Sequence, residues 1–149
     1  MAALLYNGSN MDTAAKKKIL VVEDDRALSL ALIEKFKFED FTVFSARNGG
    51  AGLANALANR PDIILLDIVM PDMDGLTMLE KLRATNEWGK GVQVIILTNV
   101  EPDSEEVMTK ITRNSPAFYM VKSDYMLAEV VAKVRECLAA IDAKTKAGK

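Results

Sequence analysis

Residues 61–67 read PDIILLD, a short apolar run that begins after a Pro-Asp pair and ends at an aspartate. A continuous apolar run of this length, bounded by turn residues, is typical of a strand that is buried on both faces of a parallel sheet. The run therefore predicts that Asp67 lies just past the carboxyl end of such a strand. In open α/β sheets, this edge is where ligands bind.

Three more short apolar runs end on residues with polar side chains. These are Glu23 and Asp24 after residues 18–22, Thr98 after residues 94–97, and Lys122 after residues 118–121. The carboxyl ends of parallel strands lie at one edge of the sheet, so we expect these side chains to meet Asp67 there.

The segments between the runs have helical patterns. The clearest is the last, with apolar residues at 127, 130, 131, 134, 138 and 141, which is one helical stripe. We predict strands near 17–23, 41–45, 63–66, 92–97 and 117–121, and helices near 26–39, 49–59, 75–85, 103–114 and 127–141. Asp24 or Asp25 should cap the first helix, and Glu87 to Gly91 should be a loop. This order, (βα)5, predicts an α/β fold with a doubly wound five-stranded parallel sheet.

The composition restricts the possible functions. The chain has 149 residues and a net charge of −2, so no basic field favours direct binding to nucleic acid. No apolar stretch has the length of a membrane span. The single cysteine excludes an internal disulfide and favours a reducing, cytoplasmic location. The chain has no histidine, so a partner would have to supply any imidazole that the mechanism needs. We expect a disordered leader or an expression remnant over 1–16, one domain over 17–142 and a tail over 143–149.

The carboxylates of the predicted edge indicate a metal site. Two like charges 4 Å apart repel by about 4 kcal/mol at an effective dielectric near 20, so a cation is expected among them. Oxygen ligands with vacant positions suit Mg²⁺, whereas zinc prefers histidine and cysteine. A carboxylate beside such an ion can attack phosphorus and form an aspartyl phosphate. The Lys122 ammonium and the Thr98 hydroxyl could then contact the phosphoryl group.

Two stretches carry a family resemblance. Residues 19–25, ILVVEDD, and residues 61–75, PDIILLDIVMPDMDG, resemble the receiver domain of bacterial two-component response regulators. The resemblance extends over about residues 17–142. It implies the flavodoxin-like fold of CheY, with strand order 2-1-3-4-5.

The resemblance also implies a role for each residue of the edge. Asp67 would be the phosphoacceptor, and Thr98 and Lys122 would contact the phosphoryl group. Thr98 and Tyr119 would form the conformational switch. The Mg²⁺ ligands would be Asp24, Asp67 and the Val69 backbone carbonyl, with Glu23 acting through water.

The partners that the resemblance implies are proteins. A sensor histidine kinase or a phosphotransfer protein would donate the phosphoryl group, and a downstream protein would bind the switching surface. That surface is the fourth helix, fifth strand and fifth helix, about residues 103–142, and it could also form a homodimer. Such a domain is not an enzyme in the usual sense, because it catalyses only its own phosphorylation and dephosphorylation.

The sequence departs from the family pattern in several places, and two of these departures concern access to Asp67 and the placement of Lys122. Ser123 follows Lys122, where the family usually has a proline in a cis peptide bond. A non-proline cis bond costs about 2.5–4 kcal/mol, so we expect either a trans bond with a shifted loop or a strained cis bond. Asn99 stands where the family prefers a small residue, which narrows the expected access to Asp67.

Two other functions remain alternatives. A Mg²⁺-dependent phosphatase with an aspartyl-phosphate intermediate needs a second acid two residues after the nucleophile, and Val69 occupies that position. A degenerate receiver that acts only as an interaction scaffold usually lacks the acidic pair or the acceptor, and this chain has both. No glycine-rich phosphate loop follows the first strand, which disfavours a nucleotide-binding enzyme.

Overall fold

The computed structural model describes residues 15–100 and 105–147. Five strands form one parallel sheet in the order β2-β1-β3-β4-β5. They are β1 (Lys18–Val22), β2 (Thr42–Ala46), β3 (Ile63–Leu66), β4 (Gln93–Thr98) and β5 (Phe118–Val121). The predicted fold class and strand order are confirmed. Nearly all of the predicted leader, residues 1–14, lies outside the described residues.

Five longer helices connect and follow the strands. They are α1 (Arg26–Phe38), α2 (Gly49–Asn59), α3 (Gly75–Thr85), α4 (Glu105–Arg113) and α5 (Leu127–Ala147). Asp25, Asn48 and Asp74 cap α1, α2 and α3, because each side chain accepts a hydrogen bond from a backbone amide in the first turn. Of the two predicted caps for α1, the structure therefore selects Asp25.

Two predicted segments differ in the structure. Glu87–Gly91 is a short helix rather than a loop, because the Asn86 side chain accepts a hydrogen bond from the Gly89 amide and caps it. Helix α5 continues to Ala147, so most of the segment predicted as a tail is helical. The apolar stripe ends at Ile141, and residues 142–144 beyond it are exposed. Alanine and lysine favour a helix, which explains why it continues past the stripe.

The sheet separates two apolar clusters. One lies between the sheet and α2, α3 and α4, and includes Leu20, Ile64 and Met78. The other lies between the sheet and α1 and α5, and includes Ile19, Leu65 and Phe36. Each central strand is buried on both faces, which explains why the strands read as unbroken apolar runs. No helix among the described residues combines the length and the apolar character that a membrane crossing requires.

A single arginine of α3 holds the carboxyl ends of two helices. The Arg83 guanidinium donates to the carbonyls of Asn114 and Ser115, just after α4. It also donates to Gly89 in the short helix and to Val92 just after it, at 2.9 and 2.7 Å. Burial lowers the pKa of Arg83. The partial negative charge of these helix-end carbonyls compensates the buried cation.

Arg83→Met should lower the free energy of unfolding by about 2–4 kcal/mol, because four carbonyls lose a charged donor. Urea denaturation measures the change. Lys81→Met is the matched control, since Lys81 is exposed on the same helix and should change stability by less than about 0.5 kcal/mol. Equal stability of the two variants would show that the carbonyl contacts contribute nothing.

Candidate functional site

The structure brings the polar residues of the strand ends together around one cleft. The cleft has a volume of about 340 Å³ and lies at the carboxyl edge of the sheet. It is lined by Glu23, Asp24, Asp25, Asp67, Val69, Thr98, Asn99 and Lys122. Every residue that the sequence assigned to metal binding or phosphoryl contact is therefore found here.

Three carboxylates of the cleft form a cluster of hard oxygen donors. One oxygen each from Glu23, Asp24 and Asp67 lies within 4.8 Å of the others. Glu23 and Asp67 are only 2% and 4% exposed, whereas Asp24 is half-buried. Oxygen ligands at this spacing, with one open side, fit a Mg²⁺ ion that keeps several waters.

Lys122 supplies a positive charge to two of these carboxylates. Its Nζ lies 2.8 Å from Glu23 Oε1 and 2.9 Å from Asp67 Oδ2. The repulsion expected from the sequence is therefore offset within the protein itself. Burial alone would lower the pKa of Lys122, but its hydrogen bonds to Glu23 and Asp67 raise it. Burial raises the pKa of Glu23, and the bond to Lys122 opposes that rise.

The peptide bond after Lys122 is trans, since none of the described residues has a cis bond. Lys122 begins a 3-10 turn, Lys122–Asp124, directly after β5. Of the two alternatives for Ser123, the structure selects the trans bond. The lysine still reaches Asp67, so the absence of the family's proline does not remove it from the site.

The loop after Asp67 depends on a glycine. The Gly75 amide donates to the Ile68 carbonyl at 2.8 Å, and a Cβ at Gly75 would lie 2.1 Å from the Asp67 carbonyl oxygen. Within the same loop, the Val69 amide donates to Asp67 Oδ1 at 3.2 Å. The contacts of Gly75 thus fix the backbone that carries the Asp67 carboxylate.

Thr98 and Tyr119 contact the same residue from different sides. Thr98 is fully buried at the end of β4, and its hydroxyl accepts from the Val100 amide at 3.5 Å. The half-buried Tyr119 of β5 donates its hydroxyl hydrogen bond to the Val100 carbonyl. Val100 therefore connects the cleft with β5 and with the chain that leads into α4.

One residue of the site was missed at the sequence level. Arg47, just after β2, donates from Nε and Nη2 to the Asp24 carbonyl. An exposed arginine between a strand and a helix has no pattern that distinguishes it from a solvated one. Its position next to the helix cap Asn48 was the only available signal.

The comparisons with known proteins agree with this geometry. The profile of the family described as the response regulator receiver domain matches residues 19–141. The chain belongs to this receiver domain family. It is 33% identical over 121 residues to the response regulator MprA of Mycobacterium ulcerans. It is 31% identical over 120 residues to the probable transcriptional regulatory protein TcrX of Mycobacterium tuberculosis.

These matches cover 81% and 80% of the chain but only 50% and 49% of the relatives, so the receiver spans about half their length. A CheY-like receiver domain from Methanospirillum hungatei superposes with a TM-score of 0.78 at 27% identity, covering 87% of this chain and 99% of that one. The BeF3-activated N-terminal receiver domain of Klebsiella pneumoniae RstA gives a TM-score of 0.69 at 26% identity, with coverage of 82% and 98%. The chain is thus a receiver domain of the two-component type.

Lys122→Met should lower the free energy of unfolding in EDTA by about 2–4 kcal/mol, because two buried carboxylates lose their cation. Mg²⁺ should stabilise this receiver variant more than the parental protein, since the ion replaces the missing charge in the folded state. Thermal unfolding with EDTA and with Mg²⁺ measures both effects. A loss no larger than that of Lys81→Met would contradict the assigned role of Lys122.

Gly75→Ala should lower the free energy of unfolding by about 1–3 kcal/mol, because its methyl group displaces the Asp67 backbone. It should also reduce the rise in melting temperature that Mg²⁺ causes. Gly91→Ala is the control, since a Cβ there has no heavy atom within 4 Å. If both receiver variants respond to Mg²⁺ as the parental protein does, the Gly75 contact does not position Asp67.

Proposed function

We propose that this receiver domain is a phosphorylation-activated switch whose phosphoacceptor is Asp67. The observation that supports this best is the position of the Asp67 carboxylate, buried at the carboxyl edge of the sheet beside two further carboxylates and the Lys122 ammonium. A buried carboxylate with a cation and metal-type oxygen donors around it is suited to accept a phosphoryl group. Phosphoryl transfer needs positioning and charge neutralisation more than it needs covalent chemistry from the protein.

The donor in this proposal is a phosphohistidine. It would belong to a sensor histidine kinase or phosphotransfer protein, because the chain itself has no histidine. An Asp67 oxygen forms the new bond to phosphorus while the bond from phosphorus to the imidazole nitrogen breaks and that nitrogen keeps the electron pair. Glu23, Asp24, Asp67 and the Val69 carbonyl would hold a Mg²⁺ ion that neutralises charge on the phosphoryl oxygens. Lys122 would shift from the Asp67 oxygen to a phosphoryl oxygen.

The output of the proposed switch passes through Val100. A phosphoryl oxygen that draws the Thr98 hydroxyl away would remove its contact with the Val100 amide, and Tyr119 holds the carbonyl of the same residue. A change there would affect α4 and β5 together, because Val107 of α4 and Tyr119 of β5 pack against the same apolar cluster. The downstream protein, or a second copy of the chain, would then bind the surface formed by α4, β5 and α5.

The alternatives have weaker support. The phosphatase needs an acid in place of Val69, whose side chain is apolar and 60% exposed at the mouth of the cleft. The scaffold does not need a phosphoacceptor site, yet Asp67, both other acids and the lysine all line the same cleft. We therefore retain the switch, with catalysis limited to the domain's own phosphorylation and dephosphorylation.

The test is the intact mass of the receiver after incubation with acetyl phosphate and Mg²⁺. We expect one added phosphoryl group, lost in Asp67→Asn and in EDTA. Asp72→Asn is the matched control, because Asp72 is an exposed acid of the same loop and asparagine tolerates its positive φ of 66°. No adduct in the parental protein would favour the scaffold, and an undiminished adduct in Asp67→Asn would exclude Asp67 as the acceptor.

A further inference from the structure

The turn between β2 and α2 contacts both loops that carry the carboxylates of the site. This turn is Arg47 and Asn48, taken here together with Gly49, the first residue of α2. It lies between the β1–α1 loop with Glu23 and Asp24 and the β3–α3 loop after Asp67. Neither the family profile nor the proposed phosphoryl chemistry gives this turn a role.

On one side, Arg47 holds the backbone of Asp24. Its Nη2 and Nε donate to the Asp24 carbonyl at 3.1 and 3.3 Å. The main chain of the residue before Asp24 is held as well, because the Glu23 amide donates to the Ala46 carbonyl at 3.1 Å. The acidic pair is therefore attached to the end of β2 through its main chain, which leaves both carboxylates directed to the site.

On the other side, Gly49 contacts the loop after Asp67. The Gly49 amide donates to the Met73 carbonyl at 3.2 Å, and a Cβ at Gly49 would lie 2.4 Å from that oxygen. Only glycine allows this approach. The Asn48 side chain accepts from the Ala51 amide at 2.8 Å and fixes the turn between the two contacts.

We propose that this turn is a brace that sets the spacing of the two ligand-bearing loops, with Arg47 as the positioning residue for Asp24. The inference rests on the proposed Mg²⁺ site and adds a residue to it. Hydrogen bonds to metal ligands from residues that do not themselves contact the metal typically contribute about 10–100-fold to metal affinity. Arg47 uses a carbonyl rather than the carboxylate, so it fixes the ligand without competing for its oxygens.

The direction in which Mg²⁺ affinity changes when Arg47 is replaced separates a positioning role from a purely electrostatic one. A guanidinium near a cation site repels Mg²⁺, so its removal by charge alone should strengthen binding. Loss of a positioning residue should weaken binding instead. Arg26 provides the charge control, because it lies two residues after Asp24 and is exposed. Its side chain has no hydrogen bond or ion pair with any part of the chain that the structure describes.

The experiment is calorimetric titration of Mg²⁺ into the parental protein, residues 1–149, and into Arg47→Met, Arg47→Lys and Arg26→Met. We expect Arg47→Met to bind Mg²⁺ about tenfold more weakly. Arg47→Lys should recover part of the loss, because one ammonium can still donate to the Asp24 carbonyl. Arg26→Met should bind as tightly as the parental protein or more tightly. The melting temperature of Arg47→Met in EDTA should change by no more than about 2 °C, which separates positioning from general stability.

A glycine pair tests the other side of the brace. Gly49→Ala should weaken Mg²⁺ binding, because its methyl group pushes the Met73 carbonyl away. Gly50→Ala should not, since a Cβ there meets only the Asn48 side chain, at an ordinary 3.5 Å.

Equal or tighter Mg²⁺ binding by Arg47→Met, together with parental binding by Gly49→Ala, would overturn the brace while leaving the receiver function intact. A parental protein that does not bind Mg²⁺ at millimolar concentrations would overturn both, because there would be no metal site to position.

Discussion

Lys122 neutralises two carboxylates that the fold removes from water, and the geometry of the whole cleft depends on that contact. Glu23 comes from the end of β1, Asp67 from the end of β3, and the ammonium from the end of β5. The ion pairs therefore join three strand ends. Removal of one partner leaves uncompensated buried charge, which is the most expensive defect such a site can have.

Two half-buried cations in the described part of the chain have opposite kinds of partner. Arg83 bonds only to backbone carbonyls, whose charge does not change, so its contacts fix the ends of α4 and the short helix. Lys122 bonds to carboxylates. In the proposed function, a metal ion would neutralise these carboxylates and the ammonium would bond to a phosphoryl oxygen instead. The first arrangement is suited to hold structure and the second to respond to chemistry. Arg83 bonds to the chain at the carboxyl end of α4, whereas Val100, which contacts Thr98 of the cleft, precedes the amino end of α4 in the sequence.

The sequence predicted the parts of this molecule that follow from repeated local patterns. Unbroken apolar runs identified β1, β3, β4 and β5, and the rule for carboxyl edges placed Glu23, Asp24, Asp67, Thr98 and Lys122 together. The strand order came from the family resemblance rather than from the runs. The trans bond at Ser123 could not be chosen beforehand, because both alternatives satisfied the local chain.

The failures have different physical causes. The Glu87–Gly91 helix is capped by the Asn86 side chain, but it is too short to show the apolar periodicity that predicts a helix. Arg83 and Arg47 donate to main-chain carbonyls that include Asn114 and Asp24, which are far from them in sequence, and an arginine has the same letter whether it is solvated or bonded. Lys122 was predicted to contact a phosphoryl group, but its contact with the carboxylates before any transfer depends on distances that only the folded chain defines.

The proposed switch requires that one particular carboxylate of this cluster accepts the phosphoryl group. Borohydride reduces an aspartyl phosphate to homoserine, and peptide mapping of the reduced receiver then locates the modified residue. We expect homoserine at position 67 alone. Homoserine at Asp24 or Asp25, which line the same cleft, would contradict it, because the buried oxygen beside Lys122 would then not be the acceptor.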